Sequence, residues 1–121
     1  MTTRMGLVLD CEDPDALAAF WAPALGYTTV GSAGSYVMLL PADGDGPQLL
    51  LQRVPEPKAT KNRMHLDIHV AEIEPEAERL VALGARRVEG DCMEEHGTHW
   101  FLMADPEGNE FCVCDSGSSA A

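Results

Sequence analysis

The run Met64–Val70 (MHLDIHV) alternates apolar and polar residues as a half-buried strand does, which sets His65, Asp67 and His69 on one face. An imidazole beside a carboxylate is an acid–base pair, and a His-x-Asp-x-His row also offers donors that suit Zn²⁺. Against this stands a structural role: His65 and Asp67 hydrogen-bonding to neighbouring strands or to Lys61-Asn62-Arg63, with His69 near solvent at the strand end, the reading preferred for His69. Cys112 and Cys114 share a face of a later strand, either as thiolate ligands or, more commonly for free cysteine, as small apolar core residues. Asp10 follows Gly6 and Val8 on one face of the first strand, and Glu110 precedes Cys112, so both carboxylates are placed either to accept protons in a pocket or, more commonly at strand ends, to be solvated. Trp100 and Leu102 alternate in the same way, and the indole supplies a broad stacking surface for a planar ligand.

These residues need strands to carry them, and the chain supplies the strands twice. Met5–Cys11 is an apolar run followed by Asp13-Pro14, an N-cap residue with proline at the first helical position. Leu17, Phe20, Trp21, Ala24 and Leu25 form one helical stripe, read as core or subunit interface, and Gly26 ends it. Strands are predicted over Tyr27–Ser32, Tyr36–Leu40 and Gln48–Val54, the last two joined by a Pro/Gly/Asp-rich turn over 41–47. After a polar connection at 55–63 the pattern restarts: strand Met64–Val70, then a helix over Pro75–Leu83 with Ile73, Ala77, Leu80 and Val81 on one side and Gly84 at its end. Strands follow at Arg86–Glu89, His99–Ala104 and Glu110–Cys114, the last two joined by Asp105-Pro106-Glu107-Gly108-Asn109. Both helices close on Ala-Leu-Gly, at 24–26 and 82–84, and the order of elements repeats with them. The segment Gly90–Thr98 reads as a lid or an ordinary exposed loop, and 115–121 as a frayed end.

Composition narrows the partners. The chain has 121 residues, 45% of them hydrophobic, the size and content of one domain with a real core. Its formal charge is −12, with eight Lys and Arg against twenty Asp and Glu, so no basic surface exists to bind nucleic acid or an anionic membrane. No apolar stretch has the length of a membrane span or the form of a signal peptide, and the four cysteines fit reduced thiols in the cytoplasm.

With βαβββ twice, Phe20-Trp21 and a Leu-Gly closing the first helix, Lys61-Asn62-Arg63-Met64-His65-Leu66-Asp67, and the run from Trp100 to Phe111 through Asp-Pro-Glu-Gly-Asn, residues 5–114 resemble the vicinal oxygen chelate superfamily, in particular its glyoxalase-like members. The resemblance implies an α+β fold in which two tandem βαβββ units, about 5–54 and 64–114, form curved mixed sheets around a cavity. It implies a pocket lined by Val8, Asp10, Leu50, Gln52, Trp100, Leu102, Glu110 and Cys114, with His65 and Asp67 as catalytic residues. It also implies cation positions on the first and last strand of each unit. These fall on Gly6, which has no side chain, on Gln52 and Cys112 where a carboxylate is usual, and on His65, which matches, so the set for a divalent metal such as Zn, Ni or Fe is incomplete. The activity implied is that of a small-molecule lyase or isomerase; the alternative is a non-catalytic binder of the bleomycin-resistance kind. A homodimer is implied in either case.

Overall fold

The computed structural model describes residues 4–88 and 92–115, and the chain divides into two compact units, Met1–Ala59 and Thr60–Ala121, with the boundary inside the expected connection. Unit one runs β1 (Gly6–Cys11), α1 (Pro14–Leu25), β2 (Tyr27–Ala33), β3 (Tyr36–Pro41) and β4 (Gln48–Arg53). The helix starts where its cap dictates: the Asp13 carboxylate accepts the Ala16 N–H at 3.2 Å and Pro14 takes the first turn. It ends at Gly26, whose φ of 72° is the left-handed conformation that a residue with Cβ adopts only at a cost. Pro23 lies within the last turn with its ring exposed, a position the sequence pattern does not flag.

The strands form an open, curved sheet in the order β1-β4-β3-β2, with β1 parallel to β4 and the other pairs antiparallel. Alternation gives this sheet two different faces. Cys11, Val37, Leu39, Leu49 and Leu51 are buried on the side that meets Leu17, Phe20, Trp21 and Ala24 of α1. Phe20 and Trp21 meet edge-on with ring centroids 5.0 Å apart. The opposite face carries Gly6, Val8 and Asp10, then Leu50 and Gln52, then Tyr36 and Met38, all exposed or half-buried.

Unit two repeats the plan with β5 (Leu66–Val70), α2 (Ile73–Leu83), β6 (Arg86–Arg87), β7 (Met93–Glu95), β8 (Thr98–Ala104) and β9 (Glu110–Asp115). Its sheet order is β5-β9-β8-β6, with β5 parallel to β9. Ala77 and Leu80 of α2, with Phe101, Met103, Phe111 and Val113 of the sheet, are buried as its core. The helix begins at Ile73 rather than Pro75, because a proline anywhere in the first turn replaces an N–H that has no helical partner. Val81, expected on the apolar side, is exposed.

Two departures concern the far end of the unit. Part of the supposed lid is strand: β7 pairs with β8 from Met93↔Trp100 to Glu95↔Thr98, through a two-residue turn at His96 (φ 54°) and Gly97 (φ 79°). Positive φ at both central residues is the turn whose twist suits a hairpin. β6 and β7 both run along one edge of β8, as β2 runs along β3. Asp115, assigned to the frayed end, is the last residue of β9. Its carboxylate accepts the His99 backbone N–H at 2.9 Å and lies 2.9 Å from His99 Nδ1. Residues 89–91 of the expected strand end and lid, and 116–121 of the tail, lie outside the described residues.

Candidate functional site

The exposed face of the unit-two sheet holds a cavity of about 450 Å³ lined by residues that include His65, Asp67, Trp100, Leu102, Cys112 and Cys114. Strand pairing explains the grouping. Asp67 stands opposite Cys112, which stands opposite Leu102, making one row across β5, β9 and β8. His69 stands opposite Cys114, then Trp100, then Met93, making the next row. Parallel and antiparallel partners project to the same side, so these seven side chains from four strands share this face.

His65 lies one residue before β5 rather than within it, and its Nε2 is 3.3 Å from Asp67 Oδ1. Both side chains remain accessible, at 40% and 47% of full exposure, so a bound molecule can reach either. One imidazole nitrogen of His65, one oxygen of Asp67 and the sulfur of Cys112 lie within 4.8 Å of one another. Burial pushes the Cys112 thiol up, and Asp67 adds to the effect while Lys61 opposes it. Burial likewise pushes Cys114 up to about 12, with Asp67 the next cause. Both sulfurs are therefore protonated at neutral pH and are poor nucleophiles as they stand.

Glu110 is placed differently from expectation. It does not line this cavity; its Oε1 accepts the Asn62 backbone N–H at 3.0 Å and so ties down the segment that carries Lys61, which does line it. The Asp-Pro-Glu-Gly-Asn turn is a structural device. The buried Asp105 carboxylate accepts the Glu107 and Asn109 backbone N–H groups, each at 2.9 Å, and the Asn109 amide, so that β9 enters the sheet at a fixed angle.

Val8, Asp10, Leu50 and Gln52 belong to the open face of unit one, where Val8 pairs with Leu50 and Asp10 with Gln52. Register also corrects the sequence-based matching of the last strands. Asp10 lies three residues before its helix cap Asp13, and His69 three before Glu72, so these two correspond, as do Val8 and Asp67. Their partners then make Gln52 the counterpart of Cys114, and Leu50 that of Cys112. Counting from turns cannot detect this two-residue difference, because it depends on where β4 and β9 meet their neighbours.

Gly6 does match His65, each seven residues before its helix cap. Gly6 is not required by backbone conformation, since its φ is not positive, and an added Cβ would meet only the flexible end of Gln48, at 3.2 Å. The four cation positions that the resemblance implies therefore lack a ligand at Gly6, which has no side chain. The residues present do not fit that four-ligand centre.

A family model described as a glyoxalase-like domain matches residues 6–114. No curated protein matches the chain. Solved structures share its fold at low identity. The genomically encoded fosfomycin resistance protein of Listeria monocytogenes superposes with a TM-score of 0.75 at 14% identity, over 95% of this chain and 93% of that one. A protein of Agrobacterium tumefaciens gives 0.74 at 22%, over 93% and 96%. A glyoxalase/bleomycin resistance protein/dioxygenase family enzyme from Burkholderia phytofirmans gives 0.72 at 16%, over 90% and 94%. Among the described residues no helix is long and apolar enough to cross a membrane.

Proposed function

The chain belongs to the glyoxalase-like domain family, and on that premise we propose that it is a small-molecule enzyme of the lyase or isomerase kind, acting in the unit-two cavity with His65 and Asp67 as its proton-moving pair. The observation that carries this is the 3.3 Å approach of His65 Nε2 to Asp67 Oδ1 on an accessible cavity wall. Asp67 holds the imidazole in place, while the ring's exposed edge gives or takes a proton on the bound molecule. Trp100 and Leu102 supply the apolar wall, and Lys61 is the one Lys or Arg of the lining, so the preferred ligand is planar or aromatic in part and carries an anionic group.

A second reading, sequestration without turnover, is favoured by a different observation: the thiols of Cys112 and Cys114 are held protonated beside the Trp100 wall, which makes much of the lining chemically inert. Both readings take the protein as a cytoplasmic homodimer, which light scattering and fractionation test. The functional experiment is native mass spectrometry of protein purified without denaturation, followed by incubation with the recovered molecule. Conversion of that molecule, lost in His65→Ala, supports the enzyme; tight binding with no conversion by the parent protein supports the sequestering reading.

A further inference from the structure

Among the described residues, the lining of the unit-two cavity has one Lys or Arg, Lys61, and one Trp, Tyr or Phe, Trp100, and the two stand at different places along it. On β9 the cavity wall advances from Cys112 to Cys114, a step of roughly 6.5 Å at the rise of a strand. Cys112 lies in the row of Asp67, and Cys114 in the row of Trp100 and Met93. Lys61 belongs to the Cys112 end: burial and Asp67 push that thiol up and Lys61 pulls it down, whereas Cys114, pushed up by burial and then Asp67, does not feel it. Residues 60–65 have no helix or strand of their own, so something else must fix Lys61. Glu110 Oε1 accepts the backbone N–H of its neighbour Asn62 at 3.0 Å. Glu110 opens β9 directly after the turn in which the buried Asp105 carboxylate holds the Glu107 and Asn109 N–H groups. A fixed turn thus places Glu110, Glu110 places Asn62, and Asn62 places the backbone from which Lys61 reaches into the cavity.

We propose that this cavity selects an aromatic monocarboxylate, a ring joined to one carboxylate by a short arm, with Lys61 as the residue that reads the charge and Glu110 as the positioning residue that fixes Lys61. This rests on the reading of that cavity as the functional site and names the ligand class for it. The carboxylate meets the Lys61 ammonium and the ring stacks on Trp100. The arm between them crosses the row of Asp67, where His65 Nε2 is 3.3 Å from Asp67 Oδ1. Charge count sets the class. One lysine stands against one carboxylate, Asp67, on this wall, so a single further negative charge has a cation to meet. A dianionic phosphate would bring its second charge against Asp67. A neutral arene would cover the ammonium without giving it a partner, which costs binding free energy.

The test is calorimetric titration of the full chain with three probes: 3-phenylpropanoate, its neutral primary amide, and phenyl phosphate at roughly pH 8, where a phosphate monoester is a dianion. The carboxylate should bind about tenfold more tightly than the amide, the worth of a charged hydrogen bond reduced for an exposed lysine, and more tightly than the phosphate. Lys61→Met should bring the carboxylate to within about twofold of the amide and leave the amide unchanged, while Lys61→Arg keeps the preference. Glu110→Ala should cut the preference by about threefold or more, since the lysine's support is loosened. Glu110→Gln, whose amide oxygen still accepts the Asn62 N–H, should restore it. A merely structural loss would weaken the probes alike, and circular dichroism verifies the fold of each variant. Equal affinity for carboxylate and amide, a preference that survives Lys61→Met, tighter binding of the phosphate, or binding of none of the three would each overturn the proposal. Glu110→Gln as deficient as Glu110→Ala would overturn the positioning role. Conversion of the recovered molecule is scored separately. If it proceeds while the carboxylate preference is absent, only this inference falls; if the probes behave as expected and no conversion occurs, only the enzyme reading falls.

Discussion

The open faces of the two sheets are built on the same frame and carry different chemistry. In unit one the row Val8–Leu50–Met38 is wholly apolar, whereas the matching row of unit two is Asp67–Cys112–Leu102. The next rows are Asp10–Gln52–Tyr36 and His69–Cys114–Trp100, alike in ending on an aromatic ring. At the position before them stand Gly6 and His65. The helix-facing sides show no such divergence: each sheet buries aliphatic or aromatic side chains against one helix, Leu49 and Leu51 in unit one, Phe111 and Val113 in unit two. The repeated unit thus keeps what packing requires, while the faces that packing leaves free are where unit two gains its imidazole and thiol groups.

The sharpest way to break that comparison is to test whether the buried sides are equivalent. Phe111→Ala should cost about 3–5 kcal/mol and Leu51→Ala about 2–5 kcal/mol in urea unfolding, since each opens a cavity in a close-packed layer. A cost below about 1 kcal/mol in either unit would mean that its core is not the packed layer described. On the open faces the asymmetry should be large. His65→Ala should slow turnover of the recovered molecule by roughly 10²–10⁴-fold, the usual worth of a positioned acid–base group, while Asp10→Asn changes it less than about threefold. Equal losses would place the chemistry in both units.

A smaller effect lies in the pH dependence of stability. The Cys114 thiol holds its proton more tightly folded than unfolded, with a folded value of about 12 against an ordinary value of 9.0, so its contribution is fully present below pH 9 and is lost as pH rises toward 12. Stability should decline across that window, and Cys114→Ala should flatten the decline; an unchanged alkaline limb would contradict the burial argument. Smallest of all, His99→Ala should cost no more than about 1 kcal/mol, because the His99–Asp115 pair is partly exposed and screened by solvent.

Much of this frame was legible in the sequence because local chemistry writes it there. Asp13-Pro14 and Gly26 bound α1 to the residue, and the Asp105–Asn109 turn marks the entry to β9. His65 and Asp67 were legible as a pair from strand alternation, even though His65 falls just outside β5. Pairing between distant strands was not legible, which is why Gln52 was matched to Cys112 when its partners make it the counterpart of Cys114. Nor was β7, whose Glu94 and Glu95 have no strand-like pattern of their own and are held by pairing along the edge of β8. Asp115 was missed for a similar reason: nothing in an acidic residue before Ser-Gly-Ser-Ser reveals that His99, on a neighbouring strand, will hydrogen-bond to it.

The claim at the centre of this account is that the functional face belongs to unit two, and the matched aromatic positions Trp100 and Tyr36 test it most directly. The dissociation constant of the recovered molecule should rise about tenfold or more in Trp100→Ala, in keeping with the loss of about 1.5 kcal/mol of stacking and burial, and stay within about twofold in Tyr36→Ala. A larger loss in Tyr36→Ala than in Trp100→Ala would contradict it.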